Sequence, residues 1–281
     1  MILSFIVLFF IAIFAGFIGA LVGIGGGIII VPALTLFYDL PIHSAVAISL
    51  VSVVATSIGG SKNYVEQKIT NIKLSMFLET FTVIGAIIGA FVGLVLKASA
   101  LNFIFGVLIL YVGISNFIRR KIDYRLENFE NVEMTKLEKY LEMNSEYYDE
   151  AEKKIVKYAP KKPLLGGFVS ALAGFASGLL GIGGGVFKVA AMTSFMRMPM
   201  KAAIACSKFM IGITASASAL VYFISGKTNA YLAAPIVLGV LAGATLGSYS
   251  MNKIKTYYIK LFFSFLSFYL AYRMLEKSII D

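Results

Sequence analysis

Thiols, imidazoles and carboxylates are all scarce in this chain of 281 residues. It has one cysteine, Cys206, and one histidine, His43. A single thiol excludes an intramolecular disulfide and a multi-cysteine metal centre, and Cys206 is read as a small buried hydrophobe. A single imidazole, in a loop and with no assigned role, excludes histidine clusters and the Ser/His pairing of a hydrolytic nucleophile. Charge is thin as well, at 14% of residues against roughly 25% in soluble proteins. The acids are also concentrated: residues 119 to 162 hold ten of the 15 Asp and Glu, together with eleven of the 25 Lys and Arg. Glu79 is the one acid well inside a predicted span. A cation or metal permease needs carboxylate, imidazole or thiolate ligands in its spans, so that class is disfavoured. No cofactor, metal or catalytic residue is expected, and the chain is not read as an enzyme.

What the sequence has in abundance is apolar length. Hydrophobic residues make up 59% of the chain and the mean hydropathy is +0.86. Apolar runs of about 20 residues, enough to cross a bilayer, cover Ile2 to Val22, Leu74 to Leu96, Leu101 to Ile118 and Tyr257 to Tyr272. The first run lacks a basic n-region and a cleavage context, so it is read as a retained helix. Outside residues 119 to 162, fourteen basic residues face five acidic ones. In a membrane chain this excess fits the positive-inside bias and an anion route, and no nucleic-acid partner is expected. The expected partners are a small anionic substrate and membrane lipid, and a homo-oligomer is compatible with the sequence.

The chain contains its main motif twice. "GFIGALVGIGGGIIIVPALTLFYDLPIHSAVAIS" from Gly16 matches "GFASGLLGIGGGVFKVAAMTSFMRMPMKAAIACS" from Gly174 at a constant offset of 158, with 17 identities in 42 ungapped positions. The halves are residues 1–118 and 163–281, joined by the charged segment 119–162. Each half reads as five helical pieces: 2–23, 27–37, 43–60, 72–96 and 101–118 in the first; 164–181, 185–196, 200–224, 230–251 and 256–275 in the second. The second piece of each half is too short to cross, since about 11 residues rise only ~17 Å.

Two arrangements fit such a break. The first two pieces could form one broken span, giving parallel repeats, or fold back as a re-entrant pair before three crossings, giving inverted repeats. With the linker taken as cytoplasmic, the broken span places six basic residues on each side, and the re-entrant pair places eight inside and four outside. The positive-inside rule favours the second. The expected fold is therefore an all-α polytopic membrane protein of two homologous halves in inverted topology.

Non-helical backbone at membrane depth is tolerated where it lines a cavity or is buried in protein. The glycines Gly25, Gly26 and Gly27, and Gly183, Gly184 and Gly185, each precede a short helix whose first amides lack intrahelical acceptors and carry about half a positive charge. They are candidates to hold a small anion, the alternative being close helix packing. Packing is the reading for the four-residue spacings Gly85/Gly89 and Gly239/Gly243. A nucleotide-binding loop is disfavoured, because neither copy has the preceding strand or the Gly-Lys-Ser/Thr ending.

Two lysines interrupt apolar runs of the second half only: Lys188, where the first half has Ile30, and Lys208, where it has Leu50. An intramembrane lysine is functional by default, so both are candidate substrate ligands. Snorkelling, or pairing with Glu79, is the structural alternative. Ser49 and Ser207 are further candidate ligands, with Ser52, Thr56 and Thr214 as neutral hydrogen-bonding groups, and Glu79 is a candidate for proton coupling.

The duplicated "GALVGIGGG" and "SGLLGIGGG", with Pro32 or Ala190 five residues on and the "P…A.A.S" segment after it, resemble the sulfite exporter TauE/SafE family, also called the TSUP permeases. The resemblance covers nearly everything outside 119–162. It implies a multi-pass permease of prokaryotic plasma membranes for sulfur-containing anions such as sulfite, sulfoacetate, other organosulfonates or thiosulfate. Alternating access around the two breaks is the expected mechanism, with an anion channel or a permease for another solute as the alternative. The charged linker is expected to be a solvated cytoplasmic helical hairpin or insertion.

Overall fold

A computed structural model describes residues 2–22, 25–118, 143–149, 153–250 and 256–280. The first half forms α1 (Ile2–Val22), α2 (Gly27–Phe37), α3 (Ile42–Glu66), α4 (Ile72–Val95) and α5 (Ala98–Ile118). A hairpin of β1 (Ser145–Asp149) and β2 (Lys154–Tyr158) follows. The second half forms α6 (Pro163–Leu180), α7 (Gly185–Ala190), α8 (Met200–Ile224), α9 (Ala230–Ser250) and α10 (Thr256–Ile280). Among the described residues, six helices are long and apolar enough to cross a membrane: those beginning at Ile42, Ile72, Ala98, Pro163, Met200 and Ala230. The chain is thus a predominantly helical, multi-pass membrane protein.

Most of the ten predicted pieces lie within a few residues of these helices. Helix α3 runs on to Glu66, because its last turns are polar and carry an exposed Lys62–Glu66 pair at 3.9 Å. The piece predicted at 185–196 divides into α7 and a π-helical turn, Ala191–Phe195. Gly23, the counterpart of Gly181, lies outside the described residues, as do residues 119–142.

The halves interlock through glycine seams. Gly85 and Gly89 of α4 lie against the carbonyls of Ala171 and Phe175 of α6, and Gly174 and Gly178 of α6 lie against those of Thr82 and Ala86. Side chains here would hold the backbones apart; small residues let them touch. Because position rises together on both helices, α4 and α6 run in the same direction. The seam recurs between α1 and α9, where Gly239, Gly243 and Gly247 meet the carbonyls of Phe9, Ile13 and Phe17. Each half's first helix therefore packs on the other half's fourth.

Two more contacts fix directions. Helix α8 runs with α4, since Glu79, Ala86 and Gly93 meet Thr214, Ser218 and Tyr222 in order. It crosses α3 in the opposite sense: late residues of α3, Ser57 and Tyr64, meet early Lys208, while Val53 and Ile211 flank Gly25. Since α6 and α8 share a direction, the chain between them must return. It does so along α6: the Lys161 amide donates to the Met196 carbonyl at 3.0 Å, and Gly166 packs on the Met196 side chain.

The described end of the charged segment is a β-hairpin rather than a helix. Tyr147 pairs with Val156 and Asp149 with Lys154. Alternation puts Tyr147, Asp149, Val156 and Tyr158 inward, the period-two pattern of a half-buried strand pair. The inward face covers a methionine-rich core that includes Met192, Met196, Met198 and Met210. Two polar ties hold it there. Lys201 reaches both carboxylate oxygens of buried Asp149, at 2.7 and 2.8 Å, and the Asn71 side chain donates to the Met143 carbonyl at 2.6 Å.

Candidate functional site

The two glycine breaks meet. Gly25 (φ +87°) and Gly26 (φ +76°) turn the chain into α2, and Gly183 (φ +76°) and Gly184 (φ +66°) turn it into α7. These are left-handed backbone conformations that favour glycine. Gly27, the first residue of α2, lies against the carbonyl of Gly181, where α6 ends. Ser49, from α3, donates to that same Gly181 carbonyl at 2.7 Å. Its counterpart Ser207, from α8, donates to the Gly185 carbonyl at 3.2 Å. Thr56 ties α3 to its own break, donating to the Gly25 carbonyl at 3.2 Å. Ser49, Thr56 and Ser207 thus bring hydroxyl donors from α3 and α8 onto backbone carbonyls at the two breaks.

Lys188 projects from α7 into a wholly buried polar cluster. Its ammonium lies 3.3 Å from Glu79 Oε2 and 2.5 Å from Thr214 Oγ1, and Thr214 donates to Glu79 Oε1 at 2.6 Å. Lys188 and Thr214 are 0% exposed and Glu79 3%. Three elements, α4, α7 and α8, each contribute one member. The pair with Glu79 cancels the lysine's charge within the protein, so of the alternatives open in the sequence the structure takes the ion pair.

Lys208 is placed differently. It is 6% exposed, and among the described residues no carboxylate lies within ion-pair distance. Its ammonium sits 4.8 Å from the centre of the Tyr64 ring and 3.5 Å from the Tyr64 hydroxyl, a cation–π arrangement. It lines a cavity with Gly25, Thr56, Ser57 and Gly60. The cavity measures about 10 Å³, room for roughly one water. Lys188 is not among its lining residues. The structure therefore brings Lys208 to the first half's break and Lys188 to Glu79, and does not gather both lysines around one space.

Ser57 and Tyr64 have no part in the sequence-based site. Their signal is positional: Ser57, Gly60 and Tyr64 fall three and then four residues apart, on one helical face. What that face meets depends on how α3 crosses α8.

Chemically, among the described residues the region offers a buried ion pair, a buried ammonium with no acid at ion-pair distance, and glycine-flanked backbone at the meeting point of the halves. Comparison with known proteins agrees with a transport role. The model of the family described as Sulfite exporter TauE/SafE matches residues 8–274. "Probable membrane transporter protein YunE" of Bacillus subtilis (strain 168) is 26% identical over 261 residues, covering 90% of this chain and 91% of that protein. "Probable membrane transporter protein YdhB" of the same organism is 29% identical over 102 residues, 36% of this chain and 40% of that protein. No solved structure matches the chain. With a family match running almost end to end over a multi-pass helical bundle, the chain belongs to the sulfite exporter TauE/SafE family of membrane proteins.

Proposed function

We propose that the protein is a secondary transporter for small sulfur-containing anions such as sulfite, sulfoacetate, other organosulfonates or thiosulfate, working by alternating access around the meeting point of the two breaks. The observation that carries it is the contact of Gly27 with the Gly181 carbonyl, joined by Ser49. Interrupted helices from two repeats meeting inside the bundle are how secondary transporters build a substrate site. Gly25–Gly27, Gly183–Gly185, Ser49, Ser207 and Lys208 form the substrate region, and the Lys188–Glu79 pair couples transport to a proton. Protonation of Glu79 would free Lys188 from its partner and alter how α4, α7 and α8 are held.

The halves are inverted-topology repeats and each break is a re-entrant pair. Support comes from α3 and α8, equivalent helices that cross in opposite senses, and from the return of the chain along α6. Three full crossings per half then follow, with the charged segment 119–162 between repeats 1–118 and 163–281. The protein resides in the plasma membrane of a prokaryote with that segment in the cytoplasm, the side the basic residues favour.

The test is flux in proteoliposomes. Purified protein should take up sulfite or a sulfonate against a gradient when preloaded with the same anion, since a carrier shows counterflow and an open pore does not. Uptake without counterflow would establish a channel. Absence of flux for every sulfur anion tried, with flux for another solute, would overturn the substrate class.

A further inference from the structure

On the reading of Glu79 as the proton carrier, protons must reach it through protein, because Glu79 is 3% exposed. Among the described residues, Lys188 is the charged group that faces it, Thr214 faces it from α8, and α6 meets α4 through Gly174 and Gly178. Toward the β-hairpin, one face of α4 carries polar groups in series. Asn71, Ser75 and Glu79 follow at four-residue steps, which align on a helix. Helix α8 answers in register: Asn71 meets Cys206 and Glu79 meets Thr214, each pair 135 positions apart, as two helices running in one direction require.

These groups touch one another and are buried. The Asn71 amide donates to the Cys206 sulfur at 3.3 Å, the Ser75 hydroxyl donates to the Asn71 carbonyl at 2.7 Å, and the Cys206 thiol lies against the Ser75 hydroxyl. Asn71, Ser75 and Cys206 are at most 5% exposed. A hydroxyl and a thiol both donate and accept, so each can take up one proton and release another. From Ser75 to Glu79 is one helical turn, about 5–6 Å between Cβ atoms, a gap that a single water bridges. Met210 falls at the same level of α8, four residues from both Cys206 and Thr214, and is buried.

The β-hairpin covers the far end of this file. The Asn71 side chain donates to the Met143 carbonyl at 2.6 Å, and the Tyr158 hydroxyl lies against the Asn71 side chain. Met210 belongs to the same apolar core as Tyr147, Val156 and Tyr158, so the hairpin core also includes the side chain deeper in. We propose that Asn71, Ser75 and Cys206 line a proton route to Glu79, and that the hairpin, latched by Lys201 on Asp149, is its gate. A proton from water on the hairpin side passes along the file to a Glu79 oxygen; the carboxylate becomes neutral and Lys188 keeps its charge.

Two measurements on the purified full chain test route and gate without any transported solute. Infrared difference spectra after a pH jump follow the Glu79 carboxyl band, identified by its loss in Glu79→Gln. Methyl methanethiosulfonate reports access to Cys206, the chain's single thiol. Ser75→Ala should slow protonation of Glu79 by about tenfold or more, as loss of a positioned proton-transfer group does, while Ser75→Thr, which keeps the hydroxyl, should hold the parent rate. Asp149→Asn should speed both Glu79 protonation and Cys206 modification about fivefold, the change in local opening expected from one partly screened ion pair. Protonation at one rate in the parent, Ser75→Ala and Asp149→Asn overturns the route and leaves proton carriage by Glu79 standing. Protonation that slows in Ser75→Ala but is unchanged in Asp149→Asn overturns the gate alone. Absence of a titrating Glu79 band sinks the proton carrier and the route with it. Should Ser75→Ala fail to fold, Asp149→Asn still decides.

Discussion

Lys188 and Glu79 stand 109 positions apart in sequence and 3.3 Å apart in space, with the Thr214 hydroxyl in contact with both. The pair joins the second half's break to the first half's fourth helix. Removing one partner leaves the other charged and buried, which costs roughly 3–5 kcal/mol, whereas replacing both with apolar groups is often close to neutral. Lys188→Met and Glu79→Leu should therefore each lower the melting temperature strongly, and the double substitution should recover most of the loss. A double-mutant cycle measures this; simple additivity would refute the pairing.

The α4–α6 seam makes a second prediction about stability. Gly89 lies on the Phe175 carbonyl with no room for a Cβ, while its neighbour Ile88 is 52% exposed toward the outside of the bundle. Gly89→Val should cost about 1–3 kcal/mol through overpacking, and Ile88→Ala should fall within roughly 0.5 kcal/mol of the parent. Thermal unfolding in detergent compares the two. A Gly89→Val protein as stable as the parent would mean that the helices are not in contact there.

The β-hairpin gives a third. Asp149 is 2% exposed and held by half-exposed Lys201, so the tie contributes about as much as a partly screened ion pair, roughly 1 kcal/mol. That is small against the whole fold and large against local opening of a two-stranded hairpin, which is marginal without its packing surface. Asp149→Asn should leave the melting temperature nearly unchanged while speeding tryptic cleavage at Lys153, Lys154 or Lys157. Cleavage at the parent rate would show that the methionine-rich core alone holds the hairpin.

How much of this was legible in the sequence follows from which forces act locally. The glycine breaks and the spanning helices could be read because apolar length and missing Cβ atoms are properties of single segments. The packing glycines were legible too, because a four-residue spacing puts both on one helix face. The partner of Lys188 was open between lipid surface, cavity and Glu79, since pairing depends on α4, α7 and α8 converging. Tyr64 was invisible for the same reason: its ring reaches Lys208 only because α3 crosses α8 in the opposite sense. The hairpin was missed because "SEYYD" and "KIVKY" are short, charged strands whose inward faces gain stability only against Met192, Met196 and Met210. Without that surface the composition reads as a solvated insertion.

The meeting of the breaks supplies the sharpest test of where the halves touch. Gly27 opens α2 and is absent from the glycines with positive φ, so alanine there meets no backbone strain, unlike alanine at Gly25 or Gly26. Its effect would come from crowding alone: a Cβ on Gly27 would lie 2.9 Å from the Ser49 hydroxyl and 3.0 Å from the Ile182 Cα, besides pressing on the Gly181 carbonyl. Two of those three neighbours are backbone of the other half and cannot rotate away. Gly27→Ala should therefore destabilise by about 1–3 kcal/mol, the range for overpacking, although alanine is the better helix former by about 1 kcal/mol. Adding Ser49→Ala removes the hydroxyl but not the backbone, so it should not restore the parent's stability. A Gly27→Ala protein at least as stable as the parent would follow helix propensity instead of crowding, and would separate the two breaks.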